Sequence, residues 1–246
     1  MLVLENHGFS EIAGHSPYLN RLAAACALAT NYHAVSHPSL PNYLALTSGS
    51  THGIASDCTD CTVSSPSIFG QLRGSWHSYL EAMPSPGFAG AFSGDYAKKH
   101  NPAAYYPGVA SAYARLDVPL GDLREALSTG ALSRFTLVVP DLCNDEHNCP
   151  PGTGDAWLAL WLPRLFASPA YENGTTALFV TYDEASGDGN RVYTVVASPS
   201  VAPHTVVATR FDHYSLLRTV ESLLGLPCLA NACSARSMAA AFRLAR

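Results

Sequence analysis

Residues 37–49 read HPSLPNYLALTSG, from His37 through Ser39 to Gly49. The stretch is a short helix written with its punctuation: a hydroxyl at the start, a proline in the first turn, an apolar run and a closing glycine. Ser39 has two roles open to it there. As an N-cap it accepts an orphan backbone N–H. As a nucleophile it uses the same free N–H groups and the positive end of the helix dipole, which favour both an alkoxide and a bound phosphate. Spacing alone favours the cap, and the rest of the chain shifts the balance.

Working outward, the apolar run MLVL (1–4) stops on Glu5 and Asn6, and Ser16-Pro17 opens a helix with Leu19, Leu22, Ala23 and Cys26 on one face. Beyond the Ser39 helix, Ile68, Leu72, Trp76, Tyr79, Leu80 and Met83 recur at helical spacing and predict a helix over 68–83. Residues 84–118 are rich in Gly, Pro, Ala and Tyr and lack a period, so we expect a long loop that forms one wall of a pocket. A helix near 120–129, the strand FTLVVPD (135–141), a helix over about 155–167 and the strands ALFVTYDE (177–184) and RVYTVVASP (191–199) follow. A last helix lies in FDHYSLLRTVESLLGLP (211–227), closed by Gly225. Continuous apolar strands alternating with helices predict an α/β fold whose mostly parallel sheet is covered on both faces. We expect one domain, 1–246.

Composition narrows the function. The chain is 48% hydrophobic and 13% charged, enough for a sizeable core, and its net charge of −5 argues against a nonspecific nucleic-acid binder. It holds no apolar run of about 18 residues, the length a transmembrane helix requires. Six of seven cysteines fall into close pairs, Cys58/Cys61, Cys143/Cys149 and Cys228/Cys233. That pattern favours loop-stapling disulfides of an exported protein over a Cys₄ zinc site, and leaves Cys26 as a buried structural thiol. Because the chain opens inside an apparent strand, we expect a truncated start with an export signal removed, and a secreted or periplasmic location.

In open α/β sheets ligands bind beyond the carboxyl ends of the strands. Applied here, that rule collects Glu5-Asn6, then Asp141, Asn144, Asp145 and His147, then Asp183-Glu184, with Ser39 and Asp212-His213 at helix starts. Each has a plain explanation alone: a solvated strand end, a turn residue, a cap. Together their oxygens form a hard cage suited to Ca²⁺, Mg²⁺ or Mn²⁺. Such an ion lowers the pKa of a serine hydroxyl and offsets phosphate charge, which suggests in-line attack by Ser39 and a phosphoserine later released by water.

Five segments carry a resemblance. ENHGFS, HPSLPNYLALTSG, NDEH, TYDE and FDHYSLLRTVESLLGLP resemble, in order and from Glu5 to Pro227, the motifs of the phosphoesterase family of bacterial acid phosphatases and phosphatidylcholine-type phospholipases C. The wording is closest to its small secreted bacterial acid phosphatases. The resemblance implies an alkaline-phosphatase-like three-layer α/β/α sandwich. It further implies a divalent metal ion (Ca, Mg, Mn or Zn) held by Glu5, Asn6, Asp183 and Glu184, with Ser39 touching it as the nucleophile. His147 is then the expected phosphate contact or leaving-group acid, Asp145 and His213 further catalytic or pocket residues, and His37 and Asn42 substrate contacts. The implied substrate is a phosphorylated small molecule or phospholipid head group. Ala185-Ser186-Gly187 in place of His-Gly-Gly, Gly154-Asp155 in place of a second His-Asp, and Tyr43 in place of arginine count against a phospholipase and a second metal. The rival readings are a phospholipase C-like phosphodiesterase, a serine esterase (disfavoured for want of a G-x-S-x-G elbow) and a non-catalytic metal-stabilised binding protein. SGDGN (186–190) fails the spacing of a calcium loop and is expected to be a turn.

Overall fold

The computed structural model describes residues 1–244. Its centre is the strand Leu2–Leu4, short and fully buried, flanked in parallel by Phe135–Val139 on one side and Leu178–Tyr182 on the other. Eight strands form the main sheet, in the order Thr205–Val207, Ala27–Ala29, Thr194–Ala197, Leu178–Tyr182, Leu2–Leu4, Phe135–Val139, Trp76–Leu80, Asp117–Pro119. Only Thr194–Ala197 runs antiparallel to its neighbours, so the sheet is mostly parallel, as the unbroken apolar runs predict. Two sets of helices pack among themselves. Phe9–His15, Pro17–Ala25, Leu123–Thr129 and Pro151–Phe166 make one, and Ser39–Ser48, Ile68–Leu72 and His213–Leu224 the other.

The segment 68–83 departs from the helix its spacing predicts. A helix exists only over Ile68–Leu72; Arg73 (φ 47°) and Gly74 (φ 96°) then take left-handed backbone, and Trp76–Leu80 is a strand between Phe135–Val139 and Asp117–Pro119. The aromatic residues of WHSYL suit a pleated surface, and the left-handed pair stops the helix before its later apolar positions are reached. The aperiodic stretch 84–118 likewise holds more order than a loop. It contains a hairpin (Phe92–Ser93 with Tyr96–Ala97), short 3₁₀ turns, the helix Ala110–Leu116 and the edge strand Asp117–Pro119. The helix Phe9–His15 and the strands Ala27–Ala29 and Thr205–Val207 are also absent from the pattern reading, being too short to show a period.

The cysteines pair as the spacing suggests: Cys58–Cys61, Cys143–Cys149 and Cys228–Cys233. Cys26 is free, but it is only half-buried at the end of Pro17–Ala25 rather than sunk in the core. Asp155, the residue left from the family's second His-Asp, accepts from the N–H groups of Tyr18 (2.9 Å) and Leu19 (2.8 Å) and so caps that same helix. Asp212 caps the last helix by accepting from Ser215 N–H at 2.8 Å. SGDGN is a turn, with Asp188 accepting from Ser10 N–H.

Candidate active site

The pairing of Leu4 with Tyr182 sets the site's register. One residue further on, Glu5 and Asp183 leave adjacent strands side by side at the sheet's carboxyl edge, both fully buried. Asn6 turns the chain with left-handed backbone (φ 61°). Its N–H then donates to Asp183 Oδ1 at 3.2 Å, which also accepts from Glu184 N–H at 2.6 Å. Asp183 Oδ2 and the Asn6 side-chain oxygen are buried and lack any partner.

Ser39 closes the cluster. It lies at the first position of Ser39–Ser48, where Pro38 is the N-cap residue and makes no side-chain capping bond. The Ser39 hydroxyl turns away from the helix, donating to Glu5 Oε2 at 2.9 Å and lying 3.5 Å from Glu184 Oε1. Ser39 is therefore not the cap, and its oxygen faces the carboxylates instead. Asp57, from the disulfide-pinned loop, accepts from the next helical N–H, that of Leu40, at 3.0 Å.

Charge around Glu5 is balanced by Tyr43, which the sequence marks only as standing in place of arginine, and by His100, which stands in none of its motifs. Tyr43 donates to Glu5 Oε1 at 2.5 Å. His100 is wedged between two carboxylates, with Nε2 3.1 Å from Glu5 Oε2 and Nδ1 3.1 Å from Asp145 Oδ2. Both contacts are off-axis, so they are ion pairs rather than aligned hydrogen bonds. Burial alone works against charging His100, yet Glu5 and Asp145 push it up to about 10. Burial likewise acts to raise Glu5, but the His100 cation and the Tyr43 hydroxyl hold it below the ordinary carboxylate value. The second pair has no such relief. Burial first, then the charges of Glu5 and Glu184, drive Asp183 well above the carboxylate range, and burial also raises Glu184 despite its contact with His37 Nδ1. Buried like-charged carboxylates with unpartnered oxygens fit a divalent cation, whose ligands would be Glu5, Asn6, Asp183, Glu184 and Ser39.

The remaining expected site residues are placed as follows. Asp145 accepts from His147 N–H at 2.8 Å, and its carbonyl accepts from Glu5 N–H at 2.8 Å; it braces the site from behind. Burial pushes it up to about 6. His147 is partly exposed beside Glu5 and His100, with Nε2 2.9 Å from Lys99 Nζ. His37 is largely exposed at the rim.

Two expected roles are replaced by structural ones. Asn42 accepts from Val35 and Ser36 N–H and donates to the carbonyls of Ser36 and Pro38. Its whole hydrogen-bonding capacity goes into the turn before Ser39, leaving none for substrate. His213 is fully buried, with Nε2 2.6 Å from the Asp183 carbonyl and Nδ1 3.0 Å from the Tyr32 hydroxyl, and burial lowers it to about 4. It supports the Asp183 strand end and presents no nitrogen to the pocket. His100 and Lys99 come from the aperiodic segment, where the run Lys98-Lys99-His100 was their only signal. A cavity of about 670 Å³ lies elsewhere, lined by Met1, Phe135, Trp157, Trp161 and Leu178 at the opposite end of the strands.

Comparison with known proteins agrees with this geometry. Residues 7–227 match the model of the Phosphoesterase family. A phosphatidylinositol-3-phosphatase from Mycobacterium tuberculosis is 33% identical over 92% of this chain and 76% of its own. An acid phosphatase from Aspergillus fumigatus is 30% identical over 92% of this chain, which spans 54% of that protein. The fold is shared with a protein of the alkaline phosphatase superfamily from Vibrio parahaemolyticus (TM-score 0.65, 13% identity, 94% of this chain and 68% of that one). With its strand ends, serine helix and family match in agreement, the chain belongs to the Phosphoesterase family and is a phosphoric ester hydrolase.

Proposed function

We propose that the protein is a metal-dependent phosphomonoesterase of the acid phosphatase kind, working through a phosphoserine on Ser39. The observation that carries this reading is the Ser39 hydroxyl: uncapped, buried, at a helix start, and 2.9 Å from Glu5. Ser39 Oγ attacks phosphorus as the ester P–O bond breaks and the alcohol departs; water then cleaves the phosphoserine and inorganic phosphate leaves. When bound, a divalent ion would lower the serine's pKa and offset charge on the phosphoryl oxygens. Glu5, Asn6, Asp183 and Glu184 would hold it, and the helix N-terminus adds its dipole toward the phosphate. The substrate is a phosphate monoester on a small molecule or a phospholipid head group, a class to which the name of the mycobacterial relative points. Three disulfides support a secreted or periplasmic location.

Ser39→Ala is expected to abolish phosphate release from p-nitrophenyl phosphate while leaving the circular dichroism spectrum and melting temperature unchanged. Full turnover by that variant would overturn the reading in favour of a binding protein. The phosphodiesterase alternative is separated by product: diglyceride from phosphatidylcholine in place of inorganic phosphate from a monoester.

A further inference from the structure

The short turn Lys98–His100, which follows the hairpin, delivers a cation to the site. Lys99 has a side chain only 12% exposed, with Nζ 3.1 Å from Asp57 Oδ2 and 2.9 Å from His147 Nε2. An ammonium has three N–H donors and no acceptor. At that distance His147 Nε2 must therefore be the acceptor, which places the ring proton on Nδ1, 2.8 Å from the Asn148 side-chain oxygen. The third N–H of Lys99 has no protein partner among the described residues. Asp57 also accepts from Leu40 N–H, so the same carboxylate ties Lys99 to the helix that carries Ser39. Through His147 the Lys99 ammonium adjoins the buried cluster: Glu5, His100 and His147 offer ligand atoms within 4.8 Å of one another.

We propose that Lys99 is a catalytic residue that binds the substrate's phosphoryl oxygens through its free N–H, and that it holds His147 as a hydrogen-bond acceptor, with Asp57 as its positioning residue. The proposal rests on the phosphomonoesterase reading and deepens it. A desolvated ammonium with one carboxylate partner and a spare donor is a site for an anionic oxygen. While Lys99 occupies the His147 lone pair, that nitrogen is free neither to ligate a second ion nor to protonate a leaving group. The positive charge facing the phosphate opposite the Glu5–Asp183 cluster then comes from a side chain.

The test uses the full chain. In the Ser39→Ala background, which cannot turn over, Lys99→Met is expected to weaken binding of inorganic phosphate by about 10-fold or more, measured by calorimetry. With Ser39 intact, Lys99→Met should lower kcat/KM on p-nitrophenyl phosphate by about 100-fold, and Lys99→Arg should recover part of it. Nitrogen-15 NMR of the imidazoles should find His147 protonated at Nδ1 alone, and mixed tautomers in Lys99→Met. Lys99→Gln repeats the measurements with smaller disturbance of packing if the methionine variant melts early. Unchanged phosphate affinity in a folded Lys99 variant, or a proton on His147 Nε2 in the parent chain, would overturn the proposal. Retained turnover by Ser39→Ala alone would instead overturn the function on which it rests.

Discussion

Asp183 is fully buried between Glu5 and Glu184, and only one of its oxygens finds N–H partners. Without a cation it keeps its proton far above the ordinary carboxylate range, and Glu184 is shifted the same way. An ion binding here has to displace those protons, so Mg²⁺ or Mn²⁺ affinity is expected to rise as pH rises through the acid range. Calorimetry in two buffers of different ionisation enthalpy should register proton release, and Asp183→Asn should reduce it by about one proton. An affinity flat with pH would count against the ligand set. Glu5-Asn6 and Asp183-Glu184 were legible as candidates because each pair closes an apolar strand, a place where a polar group needs a reason; Ser39 was legible from the punctuation of its helix. Asn42 and His213 were legible as polar residues near the serine, but not as braces, because the turn at Val35–Ser36 and the Asp183 carbonyl that occupy them leave no trace in spacing. His100 and Lys99 reach the site through tertiary packing of a segment with no period.

The helix Ser39–Ser48 depends on its far end as well as its first turn. Gly49 closes it in left-handed backbone (φ 74°), and a Cβ there would fall 2.3 Å from the Leu229 carbonyl oxygen. Gly49→Ala therefore combines an unfavourable φ with a backbone clash, and is expected to cost more than about 1 kcal/mol, read as a lower urea midpoint. The glycine was legible as a helix stop; the clash, set by a loop some 180 residues away in sequence, was not. Elements with strong punctuation (this helix, the last helix, the strand ALFVTYDE) follow the sequence reading. The segment 68–83 does not, because its aromatic residues satisfy a helical period and a strand preference together, and Arg73-Gly74 decides between them.

Across the whole molecule, buried titratable groups outside the proposed cation ligands set how stability varies with pH. Burial raises Glu146 to about 8 and Asp117 to about 7, against the partners that lower them, among them the Tyr182 hydroxyl on Glu146 and the Asn101 amide on Asp117. Each folded-state value lies above the unfolded one, so the unfolded chain loses its proton first. Stability from these two groups is complete below the ordinary carboxylate range and falls as pH rises through about 7 to 8. His213 acts oppositely. Lowered to about 4 from its ordinary 6.5, it stays neutral when folded, so stability is lost as pH falls between those values. Asp145 and Glu221 are raised in the same sense, to about 6 and about 7, so the carboxyls outweigh His213 and the melting temperature is expected to peak on the acid side of neutrality. Glu146→Gln keeps an oxygen for Tyr182 and removes the titration, so it should flatten the alkaline limb and leave the acid limb in place. Gly154 makes room for that carboxyl: a Cβ at this position would lie 2.4 Å from Glu146 Oε1. A melting curve for Glu146→Gln that tracks the parent's from about pH 5 to about pH 9 would show that Glu146 is not among the groups that titrate on unfolding.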